Sequence, residues 1–181
     1  MRRRYVVGVT LILLALCLTL AACSGSKGDV RADATSTLDG IKHSDPSALD
    51  MLGEQLSVGE QFGIADKEFV SSWLEGFTYS IDSVDVQGDS ASVKVTVSCR
   101  QLKSAVDESL PEIGLIMADP PDDADMDALY AQCGKVLLDK LKTEPLISSS
   151  LVLGYHLEEG VWSMDTTSQK DLAQVLAGGM A

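Results

Sequence analysis

The 181-residue chain is poor in aromatics, which make up 5% of it, and it holds only five prolines, four cysteines and two histidines. Each shortage excludes something. The two histidines, His43 and His156, stand far apart, and no H-x-x-x-H, C-x-x-C or acid–histidine cluster supplies metal-ligand spacing. The chain has no G-x-S-x-G nucleophile elbow and no glycine-rich phosphate loop. No cofactor is expected. Positive charge is scarce as well: 14 lysines and arginines face 27 aspartates and glutamates, for a net charge of −13. Such a surface repels phosphate backbones, which excludes nucleic acid as a partner, and it lacks the basic residues that bind anionic lipid peripherally. Long apolar runs are also missing. The longest, from Val6 to Leu20, is 15 residues, short of the roughly 20 needed to span a bilayer as a helix.

What surrounds that run gives it a meaning. Arg2, Arg3 and Arg4 precede it, and the small residues Ala21 and Ala22 follow it, directly before Cys23. A positive flank, a short apolar core and a small-residue cleavage site are the three parts of an export signal. The tetrapeptide Leu20-Ala21-Ala22-Cys23 resembles the lipobox of bacterial lipoproteins. In that family the cysteine takes a diacylglycerol and the chain is cut before it. The resemblance implies a signal peptide over 1–22, a lipidated Cys23 held in the bilayer, a short linker over 23–28, and one domain over 29–181. It also implies a place on the outer face of a bacterial cytoplasmic membrane. Two acyl chains suffice for stable anchoring where one is marginal. Cys17 would be discarded with the signal. From Cys23 onward 159 residues remain, with eleven basic against 27 acidic side chains and a net charge of −16. That length suits one domain.

The last two cysteines fall on apolar faces. Cys99 continues the alternation Val93, Val95, Val97 of a strand, and Cys133 falls on a helical stripe with Met126, Leu129 and Val136. An exported protein meets oxidising conditions, so a Cys99–Cys133 bridge is one expectation. It would contribute about 3–4 kcal/mol on the chain-entropy account. Two separate buried thiols are the other.

The pattern along the chain changes period four times. Three helical segments come first: one marked by Val30, Leu38 and Ile41, one opened by Asp45-Pro46, and one over "ADKEFVSSWLEGF" with Asp66 as its cap. A hairpin follows, in which Phe77, Tyr79 and Ile81 alternate out of phase with Val84 and Val86. One extra residue near Asp82-Ser83, a β-bulge, reconciles the two sets. Gly88-Asp89 supplies the turn to a strand from Ala91 to Cys99. Leu102, Val106 and Leu110 predict a helix that Pro111 should break, and a longer helix runs from Met126 to about Lys142. A second hairpin pairs Leu151–Leu157 with Val161–Asp165, and Ser168-x-x-Asp171 has the form of a capping box for a last helix. The order is ααα-ββ-α-ββ-α. It predicts an α+β domain with N-terminal helices packed on a curved antiparallel sheet of about four strands, and a helical insertion between two hairpins.

The acidic run Asp119, Asp122, Asp123, Asp125, Asp127 has the 1, 3, 5 spacing of a calcium loop from Asp123. It carries Ala128 where the loop requires Gly and Gly134 where it requires Glu. The alternative is a solvated loop whose last aspartates favour a helix N-terminus. Most aromatics fall on apolar faces. A covered concave sheet often leaves a pocket at its open end, and Trp73, Phe77, Tyr79, Tyr155 and Trp162 are the candidate lining.

The leading helices, the hairpin from Tyr79 to Val95 and the later turn Glu159-Gly160-Val161-Trp162 behind a lipobox are similar to a group of small bacterial lipoproteins. These have a cystatin-like, nuclear-transport-factor-2-like domain of unknown function and are frequent in Gram-positive bacteria. The resemblance implies that fold and carries over no catalytic residue. Three functional expectations follow. The first is a non-catalytic anchored domain binding a protein, a cell-wall fragment or a small molecule. The second is a hydrolase-like enzyme using acids in the sheet pocket, and the third a small solute-binding lipoprotein.

Overall fold

The computed structural model describes residues 26–118, 120 and 125–179. The stretch expected as signal peptide and Cys23, the expected lipidation site, lie outside the described residues. The first helix, α1 (Lys27–His43), starts inside the stretch expected as linker, because Ser26 and Asp29 close a capping box over its first turn. Ser26 Oγ accepts the Asp29 N–H at 3.3 Å, and Asp29 accepts the Ser26 N–H at 2.8 Å. α2 (Pro46–Leu49) carries Pro46 at its first position as expected, and a 3₁₀ turn over Asp50–Leu52 continues it. α3 (Gly53–Gln61) was not legible in the sequence, since its GEQLSVGEQ has glycine at two places where helices avoid it. Gly59 is there for packing: a Cβ on it would stand 2.7 Å from the Phe69 ring. α4 (Asp66–Trp73) begins one residue earlier than expected, with Ala65 rather than Asp66 at the N-cap.

The sheet is an antiparallel meander in the order β1-β2-β3-β4. β1 (Thr78–Gln87) and β2 (Ser90–Arg100) form the first hairpin. The register between them shifts between Ile81 and Ser83, which leaves Asp82 as the extra residue of the expected bulge. Its carboxylate accepts from Thr96 Oγ1 at 2.9 Å and Ser80 Oγ at 3.0 Å. Those two bonds, Thr96 first, hold the Asp82 carboxyl below its usual range. Two helices separate the hairpins, α5 (Leu102–Ala118) and α6 (Met126–Thr143). α5 runs straight through Pro111, contrary to expectation. Pro111 faces solvent, while Ala105, Ser109 and Ile113 on the other side are buried. Packing on α6 therefore fixes the helix, and water can take the carbonyl that proline leaves free.

β3 (Leu146–Glu158) starts five residues before the expected Leu151, and it pairs with β2 along its whole length from Leu146 to His156. β4 (Val161–Met164) pairs only with Tyr155–Glu158, across a turn in which Glu159 and Gly160 have φ of 52° and 83°. α7 (Thr166–Leu176) closes the fold. Its N-cap is Asp165, and Ser168 is not the cap expected of it: it is a buried residue of the second half-turn.

The helices share one face of this sheet. Val30, Ala34, Leu38 and Ile41 of α1 are fully buried, as are Val93, Val95, Val97 and Cys99 of β2. Phe69 and Trp73 of α4 pack with ring centroids 6.0 Å apart, and Leu172 and Leu176 of α7 complete the core. On α6 the buried stripe is Cys133, Gly134, Leu137, Leu138 and Leu141, and the expected member Met126 is exposed.

Gly134 offers a direct check on this packing. A Cβ there would sit 2.5 Å from the Phe62 carbonyl oxygen, a backbone atom that cannot swing aside. Gly134→Ala is expected to cost on the order of 1–3 kcal/mol in urea unfolding despite better helix propensity. Gly114, also helical, has nothing within 4 Å of such a Cβ. Gly114→Ala should stabilise by about 0.5–1 kcal/mol.

Candidate functional site

The five aromatics expected to line a pocket are packed instead. Trp73, Phe77, Tyr155 and Trp162 are buried in the hydrophobic core, and Tyr79 is half-buried at its edge. The helices fill the concave face, with two carboxylates of α1 laid against its rim. Asp39 accepts a hydrogen bond from the Tyr79 hydroxyl at 2.7 Å. Burial, then that bond and the negative charge of Asp39, push the Tyr79 phenol up to about 12. One and a half turns earlier Asp33 acts on the Tyr155 hydroxyl. No bond of good geometry satisfies that buried oxygen, yet burial and the Asp33 charge push its proton loss well above the usual phenol range. Burial in turn raises the Asp33 carboxyl. The indole N–H of Trp162 is likewise buried without a partner among the described residues.

Cys99 and Cys133 are both free and both buried, so the bridge is not formed. Burial raises the Cys99 thiol to about 11, and it lies 3.7 Å from the Leu176 carbonyl oxygen. A thiol so held is a poor nucleophile. Asp119, Asp122 and Asp123 of the acidic run lie outside the described residues. Asp125 caps α6, accepting the Asp127 N–H at 3.0 Å. Among the described residues no group of three or more histidines, cysteines or acids is placed to hold a metal ion.

His156 sits half-exposed on the sheet face away from the helices. Its Nδ1 lies 2.8 Å from Asp165 Oδ1 and its Nε2 lies 3.9 Å from Glu158. This is the orienting half of a histidine–carboxylate device, but among the described residues no hydroxyl or thiol is hydrogen-bonded to Nε2. The neighbouring Ser168 Oγ is used otherwise: it accepts the Gly154 N–H at 2.7 Å. The arrangement therefore lacks the nucleophile that acyl transfer needs.

An open concavity lies elsewhere, between α7 and the exposed edge of β3. β4 ends at Met164, the Asp165 N–H bonds the Gly154 carbonyl at 2.9 Å, and the chain then turns into α7. Beyond that point no strand among the described residues covers β3. A groove of about 480 Å³ runs there, lined by Ser149, Leu151 and Val152 on the strand and Asp171, Gln174 and Val175 on the helix, with Gln101 at one end. Its lining holds neutral amides, a hydroxyl and aliphatic carbons around a single acid. The sequence reading missed it because the serines at 148–150 break the hydrophobic alternation. The disparity between a long uncharged run from Leu146 and a short partner strand was the available signal.

The structure thus defines an α+β domain in which an uncovered stretch of β3 lies beside a groove with a single acid. No protein-family model matches the chain, and no curated protein matches it. Among solved structures it is similar to a "putative lipoprotein" (ycdA) from Bacillus subtilis, with 12% identity and a TM-score of 0.45. That likeness covers 75% of this chain and 44% of the other, so this chain spans less than half of its neighbour's length.

The Tyr79–Asp39 pair gives the site region a pH signature. A phenol whose folded value is raised contributes stability that is complete below its unfolded value near 10 and is lost as pH climbs toward about 12. Tyr79→Phe should cost on the order of 1.5 kcal/mol in urea unfolding at neutral pH. The gap from the parent should narrow across that alkaline window. A gap that stays constant there contradicts the assignment.

Proposed function

We propose that the chain is a lipid-anchored extracytoplasmic domain that binds a partner without catalysing a reaction. The observation that carries the anchoring is the succession Arg2–Arg4, the apolar run and Leu20-Ala21-Ala22-Cys23. Among the described residues no helix is long and apolar enough to cross a membrane. On this reading residues 1–22 are removed, diacylglyceryl-Cys23 sits in the outer leaflet, and residues 26–179 stand outside the cytoplasmic membrane, in the Gram-positive envelope the resemblance implies. The net charge of −16 keeps the domain off anionic headgroups, so the acyl chains carry the attachment.

Binding is favoured over hydrolysis by where the polar groups lie. Asp33 and Asp39 are committed to tyrosines at a filled interface, and His156 is held by Asp165 with no nucleophile bonded to it among the described residues. The groove beside β3 offers amides, a hydroxyl and aliphatic surface, which suit recognition. The leading helices, the bulged hairpin and the helices laid on the concave sheet face support a cystatin-like, nuclear-transport-factor-2-like fold as the finer reading.

Detergent phase partition in a bacterial host tests the anchor. The parent chain should enter the detergent phase with a mature N-terminus at Cys23 and the mass of a diacylglyceryl group. Cys23→Ala should remain aqueous or uncleaved. A parent chain recovered in the aqueous phase, cut at another residue, contradicts the reading.

A further inference from the structure

β3 is thirteen residues long and its second partner is four, so among the described residues most of one edge has no strand to pair with. The hydrogen bonds that do form show which residues these are. The Leu157 N–H bonds the Asp89 carbonyl at 2.8 Å, toward β2. The Gly154 N–H and carbonyl bond Ser168 Oγ and the Asp165 N–H, on the opposite side. Backbone direction alternates along a strand. Odd-numbered residues of β3 therefore serve β2, and even-numbered ones point outward. Ser148, Ser150 and Val152 then present three successive N–H and C=O pairs at the open edge, and all three residues are exposed.

Natural edges of this kind are usually blunted by charge, proline or a bulge. β1, the other edge, has all but the proline: Asp82 in its bulge and Asp85 beyond. The segment from Leu146 to Leu153, "LISSSLVL", has none. It is uncharged and regular, and it leaves Val152 58% exposed in a chain that is otherwise strongly acidic.

We propose that this edge takes an extended, uncharged-to-basic segment of a partner protein as a fifth strand. This rests on the reading of the domain as a binding module, not on its anchoring. The segment's backbone would pair with Ser148, Ser150 and Val152, and its alternate side chains would enter the groove against Leu151 and Val175. Backbone pairing supplies affinity and the groove supplies selectivity, which is the general logic of strand addition. Charge sets the sign of the partner. Asp171 is the one charged residue lining the groove, and the net charge of −16 repels both acidic segments and a second copy of this chain.

The test uses the full chain in neutral detergent and a short fluorescent peptide of alternating valine and threonine between terminal lysines. Saturable binding by anisotropy is expected. N-methylation of one alternate set of peptide amides should abolish it, whereas N-methylation of the other set should leave it within about twofold, because only one edge of the added strand is used. Ser148→Pro removes an N–H that β2 does not use and should weaken binding about fivefold to tenfold. If that variant fails to unfold cooperatively, the methylation pair decides alone. Three results overturn the proposal: no saturable binding up to about millimolar peptide, equal tolerance of both methylation sets, or a dimer in sedimentation that Ser148→Pro abolishes. The detergent partition of Cys23 is independent of all three, so loss of peptide binding and loss of anchoring are distinguishable.

Discussion

The second hairpin is unequal, and much of the molecule's surface chemistry follows from that. β4 stops after four residues where Asp165, at the N-cap position of the next helix, bonds Gly154 through its N–H, the point at which β3 still has eight residues left toward its start. Gly154 makes the crossing feasible, since a Cβ there would lie 2.5 Å from the Asp165 carboxylate. α7 then runs back along β3, sends Leu172 and Leu176 into the core, and leaves a groove where a longer β4 would have lain. At its far end the Leu176 carbonyl accepts from the Trp73 indole at 3.3 Å, which ties α7 to α4. The groove is thus a product of rigid elements on both sides, which favours a preformed site.

Polar groups at the helix–sheet interface follow a different economy. α1 places two carboxylates beside two tyrosines, and only the outer pair makes a good hydrogen bond. Buried groups left unsatisfied carry a desolvation cost, so Tyr155 and Trp162 are places where stability is withheld rather than supplied. Arg100 belongs with them in part. Its Nη1 bonds the Ser72 carbonyl at 2.7 Å and Glu75 at 2.8 Å, joining the end of β2 to the end of α4, while its Nε has no partner.

Much of the fold was legible because its strongest signals are local. The bulge at Asp82, the Gly88-Asp89 turn and the α+β order each rest on a change of period or a turn residue. What failed did so where tertiary contact overrides local preference. Gly59 looks like a helix breaker and is a packing contact, Pro111 looks like a stop and lies on a solvent face, and Ser168 looks like a cap and is a buried acceptor. The site was less legible still. The aromatics drew attention to a pocket that the helices fill, whereas the open edge is made of serines and aliphatics. Its character comes from the absence of a neighbouring strand, which no residue type announces.

The central claim is that β3 is paired on one edge and open on the other from Leu146 to Leu153, and native-state amide exchange along that stretch tests it most directly. In the free chain the N–H groups of Ser149, Leu151 and Leu153 should exchange far more slowly than those of Ser148, Ser150 and Val152, in strict alternation. Uniform protection along Leu146–Leu153 would mean the edge is already covered, and would contradict the account.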